Sequence, residues 1–223
     1  MKFLMIAILT IVAVTQSSCG SMWQRVRERE RVFAVESARA YAQKGNCDAA
    51  LRSVDRAQSR LNLGTYARES TLIRTGCYEK LGHEELAIAH RQMLTDFYEN
   101  EPVSVLGPDR VPMMRVADLV LDHHSRPPSA LKLSSPRYDT HAQRSGIVGR
   151  VVISFDLSKA GRPVKIRVLE MPHPLLATWA IEALVETRLK KSARRSVLPG
   201  ERYVTTFQFE WRWAEKAESG QDS

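Results

Sequence analysis

Between Ile147 and Trp213 apolar and polar side chains alternate so regularly that the segment has few ways to fold. In VGRVVISFDL, Val151, Ile153, Phe155 and Leu157 fall on one side of an extended chain, and Arg150, Ser154 and Asp156 on the other. After SKAGRP, the run VKIRVLE sets Val164, Ile166 and Val168 against Lys165 and Arg167, so the turn at Gly161 joins two half-buried strands in a hairpin. Pro172 and Pro174 stop the strand and suit the first turn of a helix. Along that helix Leu176, Ala180, Ala183 and Leu184 recur at helical spacing, with Glu182 and Glu186 turned outward. The last run, RYVTTFQFEWRW, puts Tyr203, Thr205, Phe207, Phe209, Trp211 and Trp213 on one face of a third strand, and Val204, Thr206, Gln208, Glu210 and Arg212 on the other. Strand, strand, helix, strand predicts a three-stranded antiparallel sheet, with one apolar face under the helix and one polar face left to solvent.

The residues Pro136, Tyr138, Ala142, Gly146 to Gly149, Asp156, Gly161, Ala180, Leu184, Gly200 and Phe207-Gln208-Phe209 resemble, in that order, the carboxy-terminal domain of TonB. The resemblance covers about a third of the chain. It departs from the family at Asp139, where Pro is usual after Tyr, and at Leu189-Lys190-Lys191-Ser192, where an aromatic followed by Pro-Ala is usual. These changes touch partner contacts more than the fold. The resemblance implies that an extended segment of an outer-membrane transporter is captured alongside the last strand and, for a transducer of the family, that an ExbB-ExbD-like inner-membrane motor is a partner.

The chain has 223 residues, 43% hydrophobic and 26% charged, enough for one or two modest cores and unlike a disordered protein. Its formal net charge of +8 favours acidic surfaces: nucleic acid, anionic phospholipid or an anionic cell-wall polymer such as peptidoglycan. No aromatic-basic RNA motif, zinc-finger spacing or basic-zipper pattern is present, so nucleic acid is not an expected partner.

Residues 1–18 read as a signal peptide: Met1-Lys2, an apolar run from Phe3 to Val14, then small polar residues up to Cys19. A dozen or so apolar residues fall short of the about 20 that a bilayer-spanning helix needs. Small residues before Cys19 resemble a lipoprotein cleavage site, although Gln16 stands where Leu is usual; Cys19 is expected to carry lipid, or else to lie near an ordinary cleavage site. Cys47 and Cys77 then remain. In an oxidising compartment they are expected to form a disulfide, worth roughly 3 to 4 kcal/mol in the chain-entropy account, the alternative being two buried free thiols.

Residues 22–101 read as helical hairpins with an internal repeat. Tyr41, Gly45, Ala50, Val54 and Ala57 return 37 positions later as Tyr78, Gly82, Ala87, Arg91 and Leu94, a spacing that suits two closely crossing helices and resembles the tetratricopeptide repeat. A plain four-helix arrangement is the alternative. The alternating charges from Arg25 to Val32 read as a solvated helix face. Residues 102–135 form a Pro-interrupted connector with room for two helical turns between Met113 and Leu121, and a reach of at most about 100 Å. The TonB-like domain is placed at 136–213 and a polar tail at 214–223. The fold class is therefore α+β: tetratricopeptide-like helical hairpins, then a β-β-α-β domain.

No phosphate-binding loop, nucleophile elbow or supported Cys-His pair appears, so the chain is not expected to be an enzyme or to hold a cofactor. Adjacent His123 and His124 diverge in any regular structure, so Asp122-His123-His124 is not read as a metal site. His141 and His173 read as surface or satisfied residues. What remains is recognition. An edge strand exposes backbone donors and acceptors to which an extended peptide adds, and the candidate residues are Tyr203, Val204, Thr206, Gln208, Glu210 and Arg212. The alternative is an edge already covered by a second copy or by the helices. The expected protein faces the periplasm of a Gram-negative bacterium, is anchored by lipid at Cys19, and binds envelope proteins by strand addition. The other reading is an energy transducer coupling an inner-membrane motor to outer-membrane receptor transport.

Overall fold

The computed structural model describes residues 26, 29–30, 32–59, 66–107, 110–120, 124–196 and 200–210. The chain is α+β, with helices first and the sheet after them. Helix α1 covers residues 32–43. It is followed by α2 (Cys47–Ser59), α3 (Ala67–Lys80) and α4 (Glu84–Leu94), which runs on into a wider π turn at Thr95–Glu99. Next come β1 (Val103–Leu106), β2 (Pro112–Arg115), β3 (His124–Ser125), β4 (Leu131–Lys132) and the short helix α5 (Thr140–Arg144). The alternating segment supplies β5 (Gly149–Leu157), β6 (Pro163–Met171), α6 (Pro174–Glu186), β7 (Arg188–Leu189), a 3₁₀ turn at Lys191–Ser196 and β8 (Arg202–Phe209).

The sheet corrects the three-stranded expectation. It has six strands in the order β1-β2-β6-β5-β8-β3, and β4 pairs with β7 in a separate two-stranded ladder. The predicted hairpin is present, β5 lying antiparallel to β6, and β8 is antiparallel to β5 on its other side. The added strands come from the Pro-interrupted stretch, in pieces of two to four residues too short for periodicity to register. Met113 and its neighbours are strand and not helix, because β2 finds β1 on one side and Glu170 and Met171 of β6 on the other.

Pro174 opens α6, and Nδ1 of His173 accepts the Leu175 N–H at 3.1 Å, so His173 is a satisfied helix cap. The helix is buried on nearly every side, because the sheet lies beneath it and α2 and α4 lie above. That overturns the outward placement of Glu182, whose carboxylate accepts the Tyr78 hydroxyl at 2.8 Å. Ala89, Met93 and Phe97 join Ile153, Phe155, Val168, Leu175, Trp179 and Phe209 in one apolar cluster, so helices and sheet share a core.

The repeat in the sequence corresponds to two matching turns. Asn46 N–H donates to the Tyr41 carbonyl and His83 N–H to that of Tyr78, each at 2.9 Å, while Gly45 and Gly82 adopt φ of 76° and 74°. These are left-handed helix caps. The glycines serve that conformation and not close helix crossing, since a Cβ at either would meet nothing within 4 Å. Gly82→Ala is therefore expected to cost about 1 kcal/mol by urea denaturation and Gly82→Asn clearly less, because Asn tolerates positive φ. Equal costs would mean that space and not backbone angle selects glycine.

Candidate functional site: a partly open strand edge

β8 positions the candidate residues. Its alternation buries Tyr203, Thr205, Phe207 and Phe209 and turns Thr206 and Gln208 outward. Opposite it, β5 runs in unbroken register from Gly149 beside Phe209 to Asp156 beside Arg202, which supports the strand along its length. On the outer side, among the described residues, only β3 lies against it, parallel, with His124 beside Arg202 and Ser125 beside Tyr203. Glu201 fastens this contact: it receives hydrogen bonds from Ser125 and from the Tyr203 hydroxyl, and these hold its carboxyl below the usual range. The edge at Tyr203 is thus occupied within the molecule, which narrows the expected docking edge. From Val204 to Phe209 no strand lies beside β8 among the described residues. Glu210 is exposed, and Arg212 lies outside the described residues.

The other side of the original three strands is closed. β2 covers the Glu170–Met171 end of β6. Lower down, β6 carries a bulge opposite Phe155, with Lys165 at a φ of 51°. The Lys165 N–H is taken by the carboxylate of Glu85 on α4, whose pKa is raised by burial against that hydrogen bond. Arg167 meets Asp96 through two hydrogen bonds of 2.8 and 2.9 Å and Asp118 through a third of 2.8 Å. Sequence reasoning missed Glu85, Asp96, Ser125 and Glu201, and no local pattern marks them.

The polar face is not left to solvent as expected. Ser154 and Glu170 are buried in it; Arg115 and Arg150 both bind Glu170, and Arg202 spans Ser154 and Asp156. These pairs stiffen the strands beneath the edge. The face offers no nucleophile beside a base, and among the described residues no group of three side chains could hold a metal.

The remaining candidates are dispersed. Cys47 and Cys77 meet in the helical core as buried free thiols; burial first, and then the neighbouring thiol, pushes Cys77 up to about 12. The expected bridge is not formed in the structure. Cys19, the signal segment, Asp122 and His123 lie outside the described residues. Among the described residues no helix is long and apolar enough to cross a membrane. Asp139, the departure after Tyr138, caps α5 by accepting the Ala142 N–H at 2.7 Å, and the Tyr138 hydroxyl donates to the Ile147 carbonyl. That local chemistry explains how the fold does without the usual proline.

The described residues thus set an accessible backbone rim on β8 against a face of paired charges. Residues 134–213 match the family model described as Gram-negative bacterial TonB protein C-terminal. No curated protein and no solved structure matches the chain.

Proposed function

We propose that this is a Gram-negative envelope protein whose TonB-like domain captures an extended segment of a partner along β8. The supporting observation is the rim from Val204 to Phe209, which has no strand beside it among the described residues, while the β6 side is closed by β2 and Glu85. Backbone ladders supply affinity in this mode and the outward Thr206 and Gln208 supply selection. The partner is an envelope protein, with outer-membrane receptors first in line on the family match. Anchorage is by lipid on Cys19, in the periplasm. Cys47 and Cys77 close their bridge there by exchange with a disulfide-bearing oxidant, each losing a proton and the pair giving two electrons to the oxidant's disulfide, which leaves as two thiols.

The family match also supports a second reading, in which the protein transmits work from an inner-membrane motor to outer-membrane transport. One experiment bears on both. A photo-crosslinking residue at exposed Thr206 is expected to trap an outer-membrane receptor through an extended segment in intact cells. The same probe at exposed Leu72, on α3, is expected to trap none. Trapping that depends on a working proton gradient favours transduction; trapping indifferent to it favours anchored binding. No adduct at Thr206 would remove the docking edge.

A further inference from the structure

One cluster of positive charge without paired carboxylates gathers at the end of the molecule that carries the β4–β7 ladder. On the polar face Arg115, Arg150, Arg167 and Arg202 each meet a carboxylate. The pocket between α4 and β6 is cationic in name only, because its Lys165, Arg167 and Arg202 are all paired with Asp. Where β4 meets β7 the situation reverses. Lys132 lies directly opposite Arg188, an arrangement of like charges that works against a strand ladder. Lys190 and Lys191 follow at once. Leu189 N–H donates to the Gly161 carbonyl at 2.9 Å, which brings the β5–β6 turn, with Lys159 and Arg162, alongside. Arg194 folds against Gly161, and its Nε is buried with no acceptor among the described residues.

Six of these cations are exposed and Arg194 is half-buried. None of the seven forms an ion pair among the described residues. Arg188 instead turns back to the carbonyls of Val185 and Thr187 at the end of α6. In the same stretch of chain, from the last residue of α6 to the end of the 3₁₀ turn, Glu186 is the lone carboxylate.

We propose that this end of the molecule docks on the surface of an anionic phospholipid bilayer, independently of any lipid at Cys19. The cations stand on separate short elements, the β4–β7 ladder, the β5–β6 turn and the 3₁₀ turn, and none of them lines the pocket between α4 and β6, so a plane of charge suits them better than a small ligand. No aromatic ring lies among them on which nucleic-acid bases would stack. Leu133, next to Lys132, is 36% exposed and offers an apolar contact at the headgroup boundary. Each such cation near an anionic membrane adds about fivefold in affinity.

The test uses the full chain carrying Cys19→Ser, so that no attached lipid contributes, sedimented with phosphatidylglycerol-phosphatidylcholine vesicles. Binding to these and not to pure phosphatidylcholine is expected, and it weakens steeply with salt. Lys132→Gln/Lys190→Gln/Lys191→Gln is expected to weaken binding about fivefold per residue, on the order of a hundredfold together. Lys159→Gln/Arg162→Gln, on the neighbouring turn, weakens it by the same rule, whereas Arg91→Gln, exposed but paired with Glu79, leaves it unchanged. The proposal is overturned by equal sedimentation with neutral vesicles, or by a triple variant that binds as before with unchanged circular dichroism. It is also overturned if the protein ignores vesicles yet binds inorganic polyphosphate, duplex DNA or soluble cell-wall fragments through the same lysines.

Discussion

Asp55→Ala is expected to destabilise the protein by about 3 to 5 kcal/mol, read from the midpoint of urea unfolding at unchanged slope. The carboxylate, on α2, sits between Arg74 of α3 and Arg137, which lies just before α5. Arg74 donates to one oxygen at 2.6 Å and Arg137 to the other, and the Arg137 guanidinium also lies 5.1 Å from the centre of the Trp179 ring. Arg74 is only 1% exposed, so losing Asp55 removes the carboxylate that its buried guanidinium donates to. Burial pushes the Asp55 carboxyl up, but Arg74 and then Arg137 outweigh it and hold the group below its ordinary range. A depressed folded pKa means that this contribution is present above the unfolded value of 3.8 and is lost as pH falls through the folded one. Arg137→Met, at a half-exposed position, is expected to cost below about 1.5 kcal/mol. In Asp55→Ala/Arg74→Met, which removes both buried partners, part of the loss returns. If Asp55→Ala costs no more than Arg137→Met, the buried pair does not hold this interface.

Acidification is expected to weaken the protein well before its carboxylates are neutralised. His90 on α4 is fully buried against α6; Nδ1 donates to the Leu86 carbonyl at 2.8 Å, and Nε2 lies 3.2 Å from the Thr178 hydroxyl. Burial, reinforced by the Arg74 charge, lowers its pKa from 6.5 to about 3. The native ring is therefore neutral where the unfolded chain takes up a proton. Stability is complete above about pH 6.5 and falls by about 1.4 kcal/mol for each unit of pH below that, until the folded ring itself titrates. His90→Gln keeps polar atoms at the site without the titration and is expected to flatten the slope between pH 4 and pH 6.5, whatever its cost at pH 7. A slope unchanged in that variant would assign the acid sensitivity to other groups.

The parts of the fold that could be read in the sequence are those whose cause is local. Alternation located β5, β6 and β8 and the β5–β6 hairpin, and Pro174 marked the start of α6, while the recurring glycines marked the repeat but were read as close helix crossings and not as the caps they form. Strands of two to four residues carry no period, so β1, β2 and β3 were invisible, and so was the pairing of β3 with the start of the candidate edge. The contacts joining helices to sheet were equally hidden, because Tyr78 and Glu182 stand 104 residues apart and only folding brings them together. One signal was available. PLLATWAIEALV is apolar on almost every side, the mark of a helix enclosed all round and not laid on a surface.

The core that α4 shares with β6 has a mechanical meaning. A tug on a segment laid along β8 passes through the β5 and β6 ladders and straight into the helices, with no slack tether at that joint to absorb it. A pull along the strand direction would shear those rows of backbone hydrogen bonds together instead of peeling them one by one, as in a stiff lever and not a rope.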